Sequence, residues 1–301
     1  MNLDIFNQTA ICYGEILWDV LPDGPQPGGA PLNVAYHLNK FGVNTGIISK
    51  IGNDSKGKSL IKLLDEWGIS QRMIQVDDIY PTSEVVAKIN DGNEVSYEIV
   101  FPVAWDFINI DEPIMKRVET AKYLIFGSLS SRNEVSRTTL HTLFNTPAIK
   151  VLDVNLRPPY VNSDYLQALL KETDIVKFNQ QELEMAQALF GGVFQNEYNQ
   201  VKFIRDRFEI NEVIVTKGQY GASYYKGHEV FSASGTEIVV NDTIGSGDAF
   251  LAAFIAGHHL NDSPQNLINN AVAMGAFVAT KKGGCPEYEL SEYTDFKHQL
   301  I

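Results

Sequence analysis

The chain has 301 residues, with 24 Lys and Arg against 37 Asp and Glu, a formal net charge of −13. That length suits one large α/β domain or two small ones with a sizeable core, and the acidic balance argues against nucleic acid or an anionic membrane as partner. Only Cys12 and Cys285 are present, so neither a disulfide framework nor a zinc cluster is expected; no apolar run is long enough to span a bilayer and the start lacks a signal-like core, so a cytoplasmic protein is expected.

Ala10 to Val20 reads as a first strand that runs on past Gly14 and carries Asp19, and the Pro/Gly-rich stretch from Pro22 to Pro27 reads as irregular. Next, Pro27-Gly28-Gly29-Ala30-Pro31-Leu32-Asn33 leads into a helix whose Leu32, Ala35, Leu38 and Phe41 share one face, with Pro31 in its first turn and Gly42 as its stop. Asn33, the Gly28-Gly29 peptide units and Asp19 form a set suited to sugar hydroxyls, although Asn33 as a simple cap and Asp19 in a solvated turn fit the local pattern equally.

Gly52-Asn53-Asp54-Ser55-Lys56-Gly57-Lys58-Ser59 fits the pattern of a phosphate-binding P-loop letter for letter, between a strand-like Thr45–Ile51 and a helix-like Leu60–Leu64. Against a P-loop NTPase stands Asp54, a negative charge inside the supposed phosphate cradle, with Asp153 the only strand-end acid available for a metal; a chance match on a basic helix start is preferred. Ser83 to Val100 alternates with period two either side of Asn90-Asp91-Gly92-Asn93, which predicts a hairpin. Being out of step with its helical surroundings, it reads as an inserted lid, formed by residues 13–23 and 82–106, that closes over a cleft. Phe101 and Trp105 are read as lid core before sugar-stacking rings.

From Tyr123 the rhythm is βα: Tyr123–Phe126, Lys150–Val154, Asp174–Phe178 and Glu212–Thr216 as strands, with helices over Asn133–Phe144 and Gln180–Leu189. Such repeats predict a parallel sheet covered on both faces, with sites at the carboxyl ends of its strands. Val239-Val240 reads as a strand end before Asn241 to Gly247, and a helix follows from Ala249 to His258-His259, then another from Asn266 to Thr280. Glycines at Gly245 and Gly247 free peptide N–H groups to face an anion at the positive end of that helix. Asp248 beside them weakens phosphate binding, which makes sense if it takes a proton from an attacking hydroxyl; an ordinary charge–dipole contact is the bland alternative.

Asp242-Thr243-Ile244-Gly245-Ser246-Gly247-Asp248 resembles the C-terminal signature of the ribokinase-like sugar kinases, the pfkB carbohydrate kinase family, with Ser246 where Ala is usual. The stretch from Gly28 to Asp54 resembles the family's N-terminal signature, which implies that Asp19, Gly28, Gly29 and Asn33 bind the acceptor sugar; Ala30 and Pro31 supply no base for a phosphorylated one. Asp153-Val154-Asn155-Leu156-Arg157 resembles fructokinase-like members and offers Arg157 to a phosphate or sugar, with a surface ion pair as the local alternative. The Asn179-to-Glu182 motif resembles the family's Asn-x-x-Glu, tied to Mg²⁺ and phosphate, with Glu182 toward the metal; the local alternative is that Asn179 caps the helix Gln180 to Leu189. Thr216, Gly218 and Gly221 match its nucleotide loop, and Lys281 to Cys285 its adenine loop, where Gly284 contacts nucleotide while Asp242 and Ile244 hold a monovalent cation such as K⁺.

The resemblance implies a single ribokinase-like domain over residues 1–301, a three-layer α/β/α sandwich with a mostly parallel central sheet and a small β-sheet lid. It implies ATP and Mg²⁺ and a small-molecule sugar; the acidic balance argues against nucleic acid and membrane, and an exposed lid sheet offers a surface for a homodimer. The expected reaction moves phosphate from ATP to a primary hydroxyl, fructose to fructose 6-phosphate, with Asp248 as base and the Gly245, Ser246 and Gly247 amides as anion hole. Alternatives are a nucleoside, ribose or 2-keto-3-deoxygluconate kinase of the same family, a non-catalytic sugar sensor, and the P-loop NTPase.

Overall fold

The computed structural model describes residues 8–21, 24–89, 95–193 and 195–299. Strand β1 (Ala10–Tyr13) is followed by β2 (Leu17–Leu21), β3 (Gly24–Gly28), helix α1 (Ala30–Lys40), β4 (Thr45–Gly52), α2 (Ser55–Glu66), β5 (Ile74–Asp77), β6 (Ser83–Ile89) and β7 (Val95–Ile99). A βα series continues with α3 (Glu112–Thr120), β8 (Tyr123–Gly127), α4 (Glu134–Leu143), β9 (Ile149–Asp153), α5 (Ser163–Lys171), β10 (Ile175–Asn179), α6 (Gln180–Leu189), α7 (Glu197–Phe208) and β11 (Glu212–Thr216). Strands β12 (Ala222–Lys226) and β13 (Glu229–Ala233) and helices α8 (Ser246–His259), α9 (Pro264–Ala279) and α10 (Leu290–His298) complete it.

Among the described residues one sheet has nine strands in the order β13-β12-β11-β10-β9-β8-β1-β4-β5. The pairs from β5 to β11 are parallel and the two at the β13 edge antiparallel. Its central strands are apolar without interruption because helices cover both faces. Alternate residues feed two cores: Cys12, Tyr123, Ile125 and Ile214 pack with α1, α8 and α9, while Ile11, Leu124, Phe126 and Val213 face α4, α5 and α7. This is the expected three-layer ribokinase-like sandwich, and no helix among the described residues is long and apolar enough to cross a membrane.

A second sheet of four strands, β3-β2-β6-β7, stands apart. The first strand does not run on past Gly14. It breaks there, at φ +139°, and the chain re-enters as β2 in the other sheet, antiparallel to β3 and parallel to β6. Nor is all of Pro22–Pro27 irregular: Gly24 to Gly28 pair with β2, which is open to Pro25 and Pro27 because β3 is an edge strand. The hairpin's turn residues Asn90 to Asn93 lie outside the described residues, as do most side chains of β6 and β7 and hence the lid face expected at a dimer contact. Trp105 is fully buried in the main core, while Phe101 is half exposed beside Arg132 and Tyr160. Val239-Val240 forms no strand; with no neighbouring strand to pair, residues 234–240 run as irregular chain and Val239 is 89% exposed.

The P-loop look-alike is filled by its own side chains. Asp54 caps α2 by accepting from the Gly57 N–H at 2.8 Å, and it also accepts from the Thr82 N–H and hydroxyl, each at 2.8 Å. The Gly52 N–H donates to Thr82 Oγ1 at 3.0 Å. No phosphate cradle is left, and the segment instead ties the root of β6 to the main sheet. The Trp18 indole donates to the Lys56 carbonyl, and Lys56 pairs with Glu84, which extends that anchor to β2 and β6.

Candidate active site

Parallel strands all present their carboxyl ends on one edge, and there the polar residues gather. A cavity of about 1000 Å³ is lined by Asp19 from β2, Gly29 and Asn33 from the start of α1, Arg157, Asn179, Glu182, Thr216, Asp242, Ile244, Gly245, Gly247 and Asp248. A second cavity, of about 810 Å³, is lined by Thr216, Gly218, Gly221, Ser246 and Gly247 and floored by apolar residues including Val240, Val272 and Ala276. Thr216, Thr243 and Gly247 line both, so the cavities share a wall at the N-terminus of α8.

Asp248 stands in the first turn of α8, and its Oδ2 accepts from Asn33 Nδ2 at 2.7 Å. Residues 215 positions apart thereby meet. Burial is the largest cause pushing the Asp248 carboxyl up to about 6, and the Asp153 charge adds to it; the Asn33 amide, Lys177 and Arg157 pull the other way. The result is a base poised close to neutral pH.

Gly245 initiates the helix in left-handed conformation, φ +74°, pressed against Gly284, where an added Cβ would lie 2.4 Å from the Gly284 Cα. No side chain fits at either position, so the 242–248 loop and the 281–284 loop touch through backbone. Asp242 ties them: one oxygen accepts from the Ile244 N–H and the other from the Gly283 N–H, both at 3.0 Å. Ser246 departs from the expected anion hole. Its N–H closes the turn onto the Thr243 carbonyl and its hydroxyl donates to that same oxygen, so both of its donors turn inward. Among the described residues the Gly247 and Asp248 N–H groups take no partner, as a helix's first turn allows.

Gly28 and Gly284 line neither cavity. A Cβ on Gly28 would lie 2.1 Å from Asp19 Oδ2, so Gly28 makes room for that carboxylate, and Gly284 backs Asn33. Burial raises Asp19 to about 6 against the pull of Arg157. Glu182 is buried with Oε1 accepting from the Leu156 N–H and Oε2 from the Asn179 N–H, while Asn179 reciprocates to the Glu182 N–H, a capping box at the start of α6. Glu182 also lines the larger cavity. No group of three or more His, Cys, Asp or Glu side chains that could hold a metal ion occurs among the described residues.

Two residues were missed. Lys177, on β10, forms a buried pair with Asp153, Nζ to oxygens at 2.8 and 2.9 Å, and its Nζ lies 3.4 Å from where a Gly247 Cβ would stand. Burial alone would lower Lys177, but Asp153 and Glu182 outweigh it and keep it charged. Its signal was visible: a lysine inside the otherwise apolar strand Ile175–Phe178. Glu15 is the other, buried under the Gly29 loop with Oε2 unpartnered and pushed by burial up to about 7. It too interrupts an apolar run.

Such a fold, with two cavities sharing a wall at one helix N-terminus and a buried carboxylate in the larger of them, is that of a phosphotransferase with an alcohol acceptor. The family of pfkB carbohydrate kinases matches residues 11–289, and the chain belongs to that family. It is 28% identical over 292 residues to a fructokinase of Escherichia coli, covering 90% of this chain and 92% of that one. A sugar kinase of Pyrococcus horikoshii in complex with ATP superposes with a TM-score of 0.80 at 25% identity, covering 97% of this chain and all of the other. A fructokinase variant of Vibrio cholerae with fructose, ADP and potassium ion bound gives 0.80 at 22% identity over the whole of both chains.

Proposed function

We propose that the protein is an ATP-dependent kinase acting on the primary hydroxyl of an unphosphorylated sugar, with fructose as its acceptor. The observation that carries this reading is Asp248, a carboxylate raised to about 6 and held by Asn33 in the larger cavity, next in sequence to Gly247, which lines both cavities. Asp248 accepts the hydroxyl proton as the sugar oxygen attacks the γ-phosphorus and the bond to ADP breaks. The Gly247 and Asp248 N–H groups and the Lys177 ammonium lie around the same point, where they stabilise charge on the transferring group.

Asp19 and Asn33 bind the sugar, and Arg157 lines the same cavity. An uncharged acceptor is favoured because Asp19, Glu15 and Asp248 line the same cavity and Ala30 and Pro31 add no base. Fructose is favoured by the E. coli fructokinase likeness and the Asp153-to-Arg157 motif. The second cavity takes ATP, its adenine against Val240, Val272 and Ala276. Asn179 and Glu182 would hold hydrated Mg²⁺, and Asp242 with Ile244 a monovalent cation. When bound, such cations neutralise phosphate charge. A chain that consumes ATP works where ATP is kept, which favours the cytoplasm.

The test is ADP release with ATP and Mg²⁺ across fructose, ribose, 2-keto-3-deoxygluconate, adenosine and fructose 6-phosphate. Fructose is expected to give the highest kcat/KM; another acceptor in first place would change the substrate, and no stimulation by any would point to a sensor.

A further inference from the structure

We propose that Cys285 is a positioning residue for phosphoryl transfer: its thiol donates to Asn33 Oδ1 and so holds the Asn33 amide with its NH₂ toward Asp248. The inference rests on Asp248 as the base. The sulfur lies 3.2 Å from Asn33 Oδ1, across 252 positions of sequence, and Asn33 Nδ2 lies 2.7 Å from Asp248 Oδ2, so one amide links thiol and carboxylate. A thiol that keeps its hydrogen is needed for this. Burial, helped by the charges of Asp248 and Asp19, holds the Cys285 thiol well above its ordinary range.

The amide has little room to turn. Asn33 is 4% exposed, and a Cβ on Gly284 would stand 2.5 to 2.7 Å from its three terminal atoms. Asn33, Tyr36, His37 and Lys40 follow one another at i, i+3, i+4 and i+7, one face of α1, and each grips the segment after Gly283. Tyr36 donates to the Pro286 carbonyl at 2.6 Å and Lys40 to the Tyr288 carbonyl at 2.9 Å. His37 Nε2 lies 3.0 Å from the Gly284 carbonyl and Nδ1 2.9 Å from the Tyr288 hydroxyl. Burial lowers His37 to about 4, so it is neutral, with Nε2 the donor to Gly284 and Nδ1 the acceptor from Tyr288. These three grips fix the segment whatever stands at position 285. What Cys285 adds is the donor on Asn33 Oδ1: a flipped amide would face thiol hydrogen with NH₂ and the Asp248 carboxylate with C=O.

The charged and titratable groups facing Asp248 are Asp153 and Lys177 from β9 and β10, Arg157 from the loop after β9, Glu15 and Cys12 from β1 and its exit, and Cys285. The Asn33 hydrogen bond favours the carboxylate form, so loosening the amide raises Asp248 and moves the acid limb of kcat/KM to higher pH.

The test compares Cys285→Ser with Cys285→Ala in the full-length enzyme. Both lose the sulfur, and only Ser keeps a donor. We expect Cys285→Ser within about threefold of the native kcat, and Cys285→Ala down about three- to tenfold with its acid limb displaced upward and KM for ATP unchanged. Equal kcat and equal acid limbs in the two variants overturn the proposal. Cys285→Thr and Cys285→Val repeat the contrast at larger volume if the Ala variant does not fold. Asp248→Asn is run alongside: if it keeps native turnover the base assignment itself fails, whereas an inactive Asp248→Asn with matched Ser and Ala variants removes only the role of Cys285.

Discussion

Two segments of this chain, Gly52–Ser59 and Asp242–Asp248, are glycine-rich loops that open a helix, and they have opposite fates. The first matches a phosphate-binding pattern letter for letter, yet Asp54 fills it, accepting from Gly57 and twice from Thr82. In the second, Asp242 spends its oxygens on the loop's flanks, at Ile244 and Gly283, and the Gly247 and Asp248 N–H groups are left without a partner among the described residues, at residues that line the cavities. A letter pattern records glycines and their spacing. Whether the amides are available depends on where the neighbouring acid points, which is a three-dimensional fact.

The contrast can be broken from either side. The largest expected effect is at the open loop. A Cβ on Gly247 would stand 3.4 Å from Lys177 Nζ and the valine methyls would reach further, so Gly247→Val pushes on that ammonium and should cut kcat about 10²-fold, as loss of an anion-stabilising donor does, with a lower melting temperature because the buried pair with Asp153 is disturbed. Glu15→Gln comes next, read as stability. The folded-state value of Glu15 is raised from 4.5 to about 7, so the stability linked to its proton is complete below pH 4.5 and lost as pH rises through 7. Denaturant titrations at pH 8 should find the Gln variant ahead by up to about 3 kcal/mol, and the gap should close toward pH 4.5. The filled loop gives the smallest change in turnover. Asp54→Ala should cost about 1–3 kcal/mol through the lost cap and the freed Thr82, and Lys58→Ala should leave kcat unaltered. A Lys58→Ala enzyme without activity would restore the P-loop reading.

Much of the fold was legible because its signals are local. Apolar runs at Tyr123–Phe126 and Glu212–Thr216 punctuated by helical periods dictate a covered parallel sheet, and the polar residues at their carboxyl ends fall where such sheets bind ligands. What escaped is set by distant partners. The break at Gly14 follows from a second sheet that only β6 and β7 complete, and Gly24–Gly28 becomes a strand only because β2 offers it an edge. Asp248 was visible from its place in a first helical turn. Cys285 was not, since its partner Asn33 is nearly the whole chain away. Lys177 stands between these cases: a charge in an apolar strand is a legible anomaly, though its partner Asp153 is on another strand.

The central claim is that Asp248 acts as a base. Asp248→Asn keeps the shape of the side chain and its contact with Asn33 while removing the proton acceptor. Fructose-dependent ADP release by this variant should fall by ~10²–10⁴-fold in kcat, with ATP affinity measured by calorimetry little changed. Native-level turnover from Asp248→Asn would contradict the account.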